Sequence, residues 1–407
     1  MRRLEVDLDW GNERRHVGTL AESERRIYFE YSLEFLAEPL PLSPFMLPAQ
    51  TGVFEDSERT FGGLHGVFND SLPDGWGLLL MDREFQRKGV PVHSVTPLDR
   101  LAYIGSRAMG ALAYRPPDDG EADVGWPVDL ADVAAQAVRL QEGSAEEVLP
   151  ELRVAGGSPG GARPKVLVGF RERDGVMVSG SGQLPEGFRP YLVKFPAKED
   201  VEGAGAVEFA YALMARDMGV EVPPVRLFEA RDGNRYFGVE RFDRDGGRRR
   251  HQHTLGGLLH ASHRMPSMDY DGFLRATFEL TRDHAQVEQA FVRMVFNVVA
   301  HNRDDHVKNF SYLMMPDGEW TLAPAYDLVF SAGINGWHTT SVAGEAEHPG
   351  EDDMLRVAEN ASIPRSRATE VIRRARDVVG AWPSYADAAG VASETAAMIQ
   401  SALRRSE

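Results

Sequence analysis

The sequence predicts a mixed α+β fold that begins β-rich and ends largely helical. Short apolar runs bounded by polar, Pro or Gly residues dominate the first hundred or so positions, which is typical of strands and turns. From Leu255 onward, apolar residues recur at the spacing of amphipathic helices. A chain of 407 residues, 43% of them hydrophobic, can bury a large core and is long enough for two or three domains or lobes.

The first part of the chain, residues 1–116, is predicted to be a small β-rich subdomain. Residues 26–31 and 110–114 are strand-like runs. Between them, the turn-forming residues 70–77 lead into a helix with an apolar face that begins near Leu78. The segment 116–121 is rich in Pro, Asp and Gly, as exposed connections are, so we expect a domain boundary there.

Two further units are predicted, at residues 117–250 and 251–407. In the first of them, a helix at 130–149 precedes a glycine-rich segment at 155–161. Strands are then predicted at 166–170, 176–179, 191–196, 225–229 and 236–242, with a helix at 207–218. The last unit is predicted to be helical, with clear periodicity at 287–299 and 365–379.

Composition and charge exclude several classes of protein. With 45 Lys and Arg against 62 Asp and Glu, the net charge is -17, which repels a phosphate backbone and argues against direct nucleic-acid binding. The absence of cysteine excludes disulfides, cysteine zinc sites, iron–sulfur clusters and a thiol nucleophile. Residues 1–10 lack a signal-peptide segment, and no aliphatic stretch approaches the roughly 20 residues that span a bilayer. The sequence therefore predicts a cytoplasmic protein without membrane contact.

The order of features in the second unit is that of a protein-kinase N-lobe: a glycine-rich loop, a lysine in an apolar strand, and a helix with a glutamate. Lys194 is flanked by apolar residues and needs solvent or an anion, and Glu208 could pair with it. Each feature alone is weak, because residues 156–161 lack the G-x-G-x-x-G and Walker A patterns. A flexible linker, a solvated edge-strand lysine and a surface glutamate are the simpler alternatives.

A stronger signal is the spacing of polar residues after His301. Asp304 and Asn309 are five positions apart, as in the kinase catalytic loop H-R-D-x-x-x-x-N. In such a loop the Asp accepts the proton of the attacking hydroxyl, and the Asn offers an oxygen to Mg²⁺. A predicted hairpin at 310–322 then delivers Asp327 beside the loop, although a capping or surface acid is the alternative. The complete set predicts a protein-kinase-like two-lobed fold, in which a β-rich N-terminal subdomain docks on the N-lobe and the C-lobe is largely helical.

The chain resembles the HipA family of bacterial serine/threonine kinases, which are the toxins of HipA–HipB toxin–antitoxin modules. The most specific matches are the strings Ser-Leu-Pro-Asp-Gly-Trp-Gly at 71–77 and Asp-Asp-His-Val-Lys-Asn at 304–309. Further matching segments cover nearly the whole chain and lie at residues 17–20, 107–112, 158–165, 192–196, 239–244 and 324–327.

The resemblance implies roles for individual residues. Asp304, together with Lys308, is implied in catalysis, and Asn309 and Asp327 in Mg²⁺ ligation. Ser158 matches a serine that autophosphorylates and inactivates the kinase. The residues assigned to ATP binding are Ser158, Gly160, Gly161, Lys165, Lys194, Glu208, Glu240 and Phe242, the last two in the hinge that faces adenine.

The function implied by the resemblance is ATP- and Mg²⁺-dependent phosphorylation of a protein hydroxyl. The implied substrates are aminoacyl-tRNA synthetases, whose phosphorylation blocks translation, and the implied partner is a small helix-turn-helix antitoxin of the HipB type. DNA contact is expected only through that partner, because of the net charge. Two other classes stay open, a small-molecule kinase of the aminoglycoside or choline type and a catalytically silent scaffold for a DNA-binding antitoxin.

Four histidines, His251, His253, His260 and His263, follow three consecutive arginines at 248–250. His-x-His spacing on a strand places two imidazoles on one face, as in some zinc sites. No carboxylate pattern nearby completes such a site, and the arginines would repel a cation. The favoured interpretation is a solvated basic segment that touches a partner or the phosphate side of the nucleotide.

Overall fold

The structure is a computed structural model that describes residues 2–116, 125–143, 152, 161–180, 184–198, 200–263 and 268–404. Helices and strands are both abundant, and most strands lie in the first two thirds of the chain, so the predicted α+β class is confirmed. Ser158 and Gly160, which the sequence assigns to the nucleotide loop, lie outside the described residues.

A five-stranded antiparallel sheet forms the core of the N-terminal unit. In spatial order its strands are β4 (Val53–Glu55), β3 (Arg26–Tyr31), β2 (Arg14–Ser23), β1 (Arg2–Asp9) and β5 (Leu112–Arg115). The helices of this unit are α1 (Leu33–Ala37), α2 (Gly66–Asn69), α3 (Gly75–Arg87) and α4 (Pro97–Ile104). The strand predicted at 26–31 is confirmed, whereas β1 and β2 were not predicted. Their apolar residues alternate with Arg, Glu and Asp, as suits a sheet with one polar face.

A second five-stranded antiparallel sheet follows. Its strands, in spatial order, are β7 (Val176–Ser179), β6 (Lys165–Arg171), β8 (Arg189–Lys194), β10 (Arg235–Glu240) and β9 (Val225–Glu229). Helix α5 (Leu130–Gln141) packs against this sheet, and α6 (Ala204–Met218) lies between β8 and β9 in the chain. Lys194 therefore ends the central strand, with β6 and β10 on either side, and the edge-strand alternative for it is wrong.

The remainder of the chain is mostly helical. Its helices are α7 (Leu255–Leu259), α8 (Tyr270–Thr281), α9 (His284–Val299), α10 (Glu351–Asn360), α11 (Arg365–Gly380), α12 (Trp382–Ala389) and α13 (Ser393–Leu403). The short strands are β11 (Arg244–Asp245), β12 (Arg248–Arg249), β13 (His251–Thr254), β14 (Met268–Asp269), β15 (Ser311–Met314), β16 (Trp320–Leu322) and β17 (Thr340–Ser341). In the part of the chain that the structure describes, no helix is both long and apolar enough to cross a bilayer.

The N-terminal unit packs on both lobes rather than on the N-lobe alone. One continuous apolar core joins residues of its sheet, such as Leu20 and Phe29, to C-lobe residues such as Phe273 and Met294. Trp76 instead joins the core of the second sheet. Helices α2 and α7 approach so closely that a Cβ on Gly66 would lie 1.9 Å from the carbonyl oxygen of Gly257. The chain segments that line the central cleft are thus held in one packed body.

The prediction of a solvated basic segment is wrong at His251, His253 and His260. His251 and His253 are fully buried on β13, and His253 hydrogen-bonds Asp70 at 2.6 Å and Ser43 at 3.0 Å. His260 is also buried, and its Nε2 accepts a hydrogen bond from the Gly66 amide at 3.0 Å. These partners lie about 200 positions away in the chain, so local sequence composition could not reveal that the histidines form the contact with the N-terminal unit.

Candidate active site

A cleft of about 410 Å³ lies where the second sheet, the N-terminal unit and the C-lobe meet. It is lined at one end by apolar side chains of the sheet, including Leu192, Val225 and Val239, and at the other by charged groups. Every predicted site residue that the structure describes lines this cleft, namely Gly161, Lys165, Lys194, Glu208, Glu240, Phe242, Asp304, Lys308, Asn309 and Asp327. An apolar end and a charged end that includes Lys165, Lys194 and Lys308 suit a ligand with a flat base and an anionic tail.

Lys194 is held between two carboxylates. Its Nζ lies 2.5 Å from Glu208 Oε1 on α6 and also contacts Asp327, which is 133 positions further along the chain. Burial alone would lower the pKa of Lys194, but Asp327 and Glu208 raise it above its usual value. Burial would likewise raise the pKa of Asp327, yet Lys194 and Lys165 lower it to about 2. Both groups are therefore charged near neutral pH, and the lysine is fixed in place.

Asp304 lies at the mouth of the cleft, with its side chain 61% exposed. The loop after it is closed by two hydrogen bonds, from Asn309 Nδ2 to the Asp304 carbonyl oxygen at 2.7 Å and from the Lys308 amide to His306 Nδ1 at 3.2 Å. Desolvation raises the pKa of Asp304 above its usual value; His306 opposes this, whereas the Asp327 and Asp305 carboxylates add to it. A carboxylate with a raised pKa and an open face can accept a proton from an incoming group.

Asp305 holds the loop at 304–309 in place through buried hydrogen bonds, and no role was assigned to it from the sequence. Its buried carboxylate accepts hydrogen bonds from the Tyr270 hydroxyl at 2.8 Å and from the Thr339 amide at 2.8 Å, and it pairs with His338 Nδ1 at 2.9 Å. Two adjacent aspartates with opposite environments, one buried and one exposed, cannot be distinguished by residue type. The partners of Asp305 are more than 30 positions away on either side.

The described end of the glycine-rich loop brings Lys165 into the cleft. Lys165 is 3% exposed and faces Lys194 across β6 and β8, where the two residues are register partners. Burial lowers the pKa of Lys165 to about 8, with Asp327 acting in the opposite direction and Lys194 in the same direction. An anionic ligand beside this lysine would raise its pKa and stabilise its charged form.

Three residues of the cleft region were not assigned by sequence reasoning: Asp74, Arg163 and His306. Arg163 pairs with Asp200 at 2.9 Å and lies 3.8 Å from Glu208. Asp74 accepts a hydrogen bond from Lys308 Nζ at 2.9 Å. Lys308 therefore contacts the N-terminal unit, a contact that no spacing within the catalytic loop could indicate.

Glu240 and Phe242, which are separated in the chain by Arg241, both line the cleft near its apolar end. The Glu240 carboxylate lies 3.4 Å from Arg189 and 3.5 Å from the Tyr191 hydroxyl, at the end of β10. The ring of Phe242 lies 5.6 Å from that of Tyr326, the residue before Asp327. This arrangement places an aromatic pair beside the apolar wall, and the assignment of these residues to an adenine hinge stays a prediction.

The oxygen donors of the cleft fit a hard divalent cation. Asp327 is ionised and Asn309 lines the same cavity, which is the type of donor set that Mg²⁺ prefers. Among the described residues, no group of three or more His, Asp or Glu side chains could hold a metal by itself. Such a sparse set suits Mg²⁺ bound jointly by protein and phosphate oxygens.

Comparison with known proteins identifies two family domains. Residues 10–115 match the HipA N-terminal domain, and residues 157–382, more than half of the chain, match the HipA-like C-terminal domain. The candidate kinase Y4mE of Sinorhizobium fredii is 30% identical over 346 residues, which are 74% of this chain and 72% of that protein. A candidate kinase of Haemophilus influenzae is 26% identical over 153 residues, which are 34% of this chain and only 44% of that protein.

A solved structure shows the same fold. HipA of Shewanella oneidensis, in a complex with HipB and its operator DNA, superposes with a TM-score of 0.72 at 18% identity, covering 99% of this chain and 95% of that one. At this identity the match establishes the architecture, including the N-terminal unit, and not the chemistry. With the two domain matches and the relative that is 30% identical over 74% of the chain, it leads to one conclusion: this chain is a member of the HipA family.

Proposed function

We propose that this protein is an ATP- and Mg²⁺-dependent serine/threonine protein kinase. The observation that carries the proposal is the meeting of Lys194, Asp304, Asn309 and Asp327 in one cleft, from two lobes of the chain. The names of the two relatives support a kinase, and the shared family fold supports the same arrangement of lobes. Positioning and electrostatic stabilisation supply most of the catalysis in phosphoryl transfer, so four well-placed polar groups are sufficient machinery.

Each residue has a task that follows from its setting. Lys194, fixed by Glu208, presents a positive charge to phosphate oxygens at the charged end of the cleft. Asp304, whose pKa lies above its usual value, accepts the proton of the attacking hydroxyl. Asn309 and Asp327 would hold Mg²⁺, which neutralises phosphate charge when bound. The exposure of Asp304 leaves room for a hydroxyl on a large substrate.

Substrate, partner and location are proposed from family membership. An aminoacyl-tRNA synthetase or a similar translation factor is the proposed target, which would make the protein a toxin of the cytoplasm. A small helix-turn-helix protein of the HipB type is the proposed antitoxin, because the Shewanella relative is seen with HipB and operator DNA. The net charge of -17 supports DNA contact through that partner alone.

Autophosphorylation at Ser158 is proposed as an off-switch. Ser158 itself lies outside the described residues, but Gly161, three positions later, lines the cleft. A phosphate adds about -1.5 to -2 charge, which would oppose an anionic ligand at that end of the cleft.

The test is transfer of labelled phosphate from Mg-ATP, in purified protein and in a bacterial translation extract, with mass spectrometry of the products. We expect Ser/Thr phosphopeptides, including one with Ser158. Asp304→Asn should reduce the rate by about two to four orders of magnitude, the usual contribution of a general base. Asp317→Asn, in the exposed turn between β15 and β16, is the matched control and should transfer at the wild-type rate.

Three outcomes would contradict the proposal. Transfer to small alcohols but not to protein would indicate a small-molecule kinase. Absence of ATP binding in calorimetry would indicate a silent scaffold. Wild-type activity in folded Asp304→Asn would show that another group is the base.

DNA binding provides a separate test of the partner proposal. The isolated protein should bind duplex DNA only weakly at physiological salt, because its net charge of -17 has the same sign as the phosphates and repels them. In electrophoretic mobility-shift assays, complexes with operator DNA should form only after a basic helix-turn-helix partner is added. Tight, salt-sensitive binding by the protein alone would rule out the indirect mode.

A further inference from the structure

The turn at Asp74 of the N-terminal unit reaches the phosphate end of the cleft. One carboxylate oxygen, Oδ1, accepts a hydrogen bond from the Gly161 amide at 2.8 Å, at the end of the glycine-rich loop. The other, Oδ2, accepts one from Lys308 Nζ at 2.9 Å, in the catalytic loop. A single side chain therefore joins two functional loops that lie 87 and 234 positions away from it.

Capping of its own helix does not explain Asp74. An Asp at the residue before a helix usually accepts hydrogen bonds from the first amides of that helix. Asp74 occupies this position before α3, but its side chain makes no capping hydrogen bond. The carboxylate is turned away from its own helix and toward the two loops.

The backbone around Asp74 is fitted to the glycine-rich loop. The Trp76 amide donates to the Gly161 carbonyl at 3.2 Å, and the Trp76 indole nitrogen donates to the Lys165 carbonyl at 3.1 Å. Gly75 has a φ of +46°, and a Cβ there would lie 2.6 Å from the Gly161 carbonyl oxygen. Only glycine allows this approach, so the Asp-Gly-Trp sequence is explained by contact with the loop.

The electrostatic setting keeps Asp74 charged. Burial would raise the pKa of Asp74, but Lys308 and the Gly161 amide lower it below its usual value. His263 Nε2 lies 3.8 Å from the same carboxylate. The side chain is 23% exposed, so its charge is satisfied mainly by these protein groups.

We propose that Asp74 is a positioning residue that holds the end of the glycine-rich loop and Lys308 in register with each other. This inference rests on the proposed kinase function and adds to it: the N-terminal unit becomes a component of the phosphate end of the site. Without Asp74, the Gly161 amide loses its acceptor and Lys308 loses its carboxylate partner. The loop end and Lys308 would then be displaced from the positions in which they can contact phosphate. A displacement of about 1 Å in such a site costs about two orders of magnitude in rate.

Three substitutions separate the two contacts. Asp74→Ala removes both, Asp74→Asn keeps an acceptor for Gly161 but removes the charge for Lys308, and Asp74→Glu keeps the charge. Asp82→Asn is the matched control, because Asp82 lies on the same helix and pairs with Arg100 at 2.6 Å. Each variant is compared in thermal melts, in hydrogen exchange of peptides covering 161–165, and in steady-state kinetics against ATP.

Asp74→Ala is expected to exchange faster at 161–165 without nucleotide, to raise KM for ATP and to lower kcat by about tenfold or more. Asp74→Asn should lower kcat and leave the exchange and KM close to wild type. Asp74→Glu should keep kcat above that of Asp74→Asn, and Asp82→Asn should match wild type in all three readouts. If Asp74 acted only through packing, the charge kept in Asp74→Glu would not restore kcat. The expected order of kcat values therefore identifies Asp74 as a positioning residue.

Wild-type exchange and kinetics in folded Asp74→Ala would overturn the inference while leaving the kinase function intact. If the wild-type protein transfers no phosphate, the proposed function fails. Hydrogen exchange at 161–165 is then the remaining test of whether Asp74 anchors the loop. Faster exchange in Asp74→Ala would still support the anchoring of the loop, and unchanged exchange would refute it.

Discussion

At the residue scale, the most informative side chain is Asp327. Its backbone has a φ of +53°, a left-handed conformation that costs most residues energy but that Asp and Asn tolerate. This local turn directs the carboxylate to Lys194 from the far side of the cleft. Because Asn also tolerates this conformation, the substitution Asp327→Asn removes the charge of the carboxylate with little cost in backbone energy.

Asp327→Asn is therefore predicted to fold normally and to lose Mg²⁺-dependent nucleotide binding. Removal of the carboxylate takes away the proposed Mg²⁺ ligand and leaves Lys194 with Glu208 as its remaining carboxylate partner. We expect a loss of at least about tenfold in affinity for Mg-ATP, measured by calorimetry, and a smaller change for ATP without metal. Equal affinities for Mg-ATP in the variant and the wild type would exclude Asp327 as a ligand.

At the element scale, the contact between α2 and α7 determines how the N-terminal unit is seated. Gly66 and Gly257 lie backbone to backbone, and a Cβ on Gly257 would also meet the Asp70 carboxylate at 2.4 Å. Asp70 in turn accepts hydrogen bonds from the Thr254 amide at 2.7 Å and hydroxyl at 2.8 Å. Neither helix can shift without breaking these bonds.

Gly66→Ala is predicted to destabilise the protein by roughly 1–3 kcal/mol, because the added methyl group must push α2 away from α7. The measurement is the midpoint of urea unfolding. Gly380→Ala is the control, since a Cβ there meets nothing within 4 Å and α11 should gain slightly from the substitution. A variant at Gly66 as stable as the wild type would show that the close approach is not rigid.

Elements could be predicted from the sequence where their pattern is local. The strands at Arg26–Tyr31, Val176–Ser179 and Val225–Glu229 match their predicted bounds, because each is a short run of strand-forming residues between turn residues. The predicted helix at 130–149 extends to Gln141 in the described part. Strand β1 was not predicted, although its apolar residues alternate with acidic ones, and the carboxylate of Asp7 is nevertheless buried and paired with Arg115 of the neighbouring strand β5.

The same distinction between local patterns and contacts distant in the chain applies to the site residues. Asp304 and Asn309 were found because their spacing lies within one loop. Asp74 was not, because its partners are far along the chain and its neighbours describe an ordinary turn. The family roles of the site residues stay predictions, as do the domain bounds at 116 and 250.

At the scale of the whole molecule, buried histidines make stability depend on pH. Burial is the largest influence on both His65 and His251: it lowers the pKa of His65 to about 4, helped by His260, and that of His251 to about 3, helped by His253. Unfolded histidine binds a proton near its usual pKa of about 6.5. Between that pH and these values the unfolded chain holds more protons than the native one, so the free energy of unfolding falls as the pH falls.

The melting temperature should therefore decrease from pH 7 to pH 4. His65→Leu should reduce this slope, because it removes one of the two buried groups. His348→Gln, at a side chain that is 81% exposed, should leave the slope unchanged. Parallel melting profiles for the wild type and His65→Leu between pH 7 and 4 would contradict the assignment.

The shared core also has a consequence for the order in which the protein is made. The N-terminal unit is synthesised first, but Asp70 has no His253 or Thr254 to bind until residue 254 has been added. Lys194 likewise waits for Asp327, and the loop at Asp304 waits for His338 and Thr339 beneath it. A ribosome that stops anywhere before residue 339 thus releases a chain with an incomplete cleft.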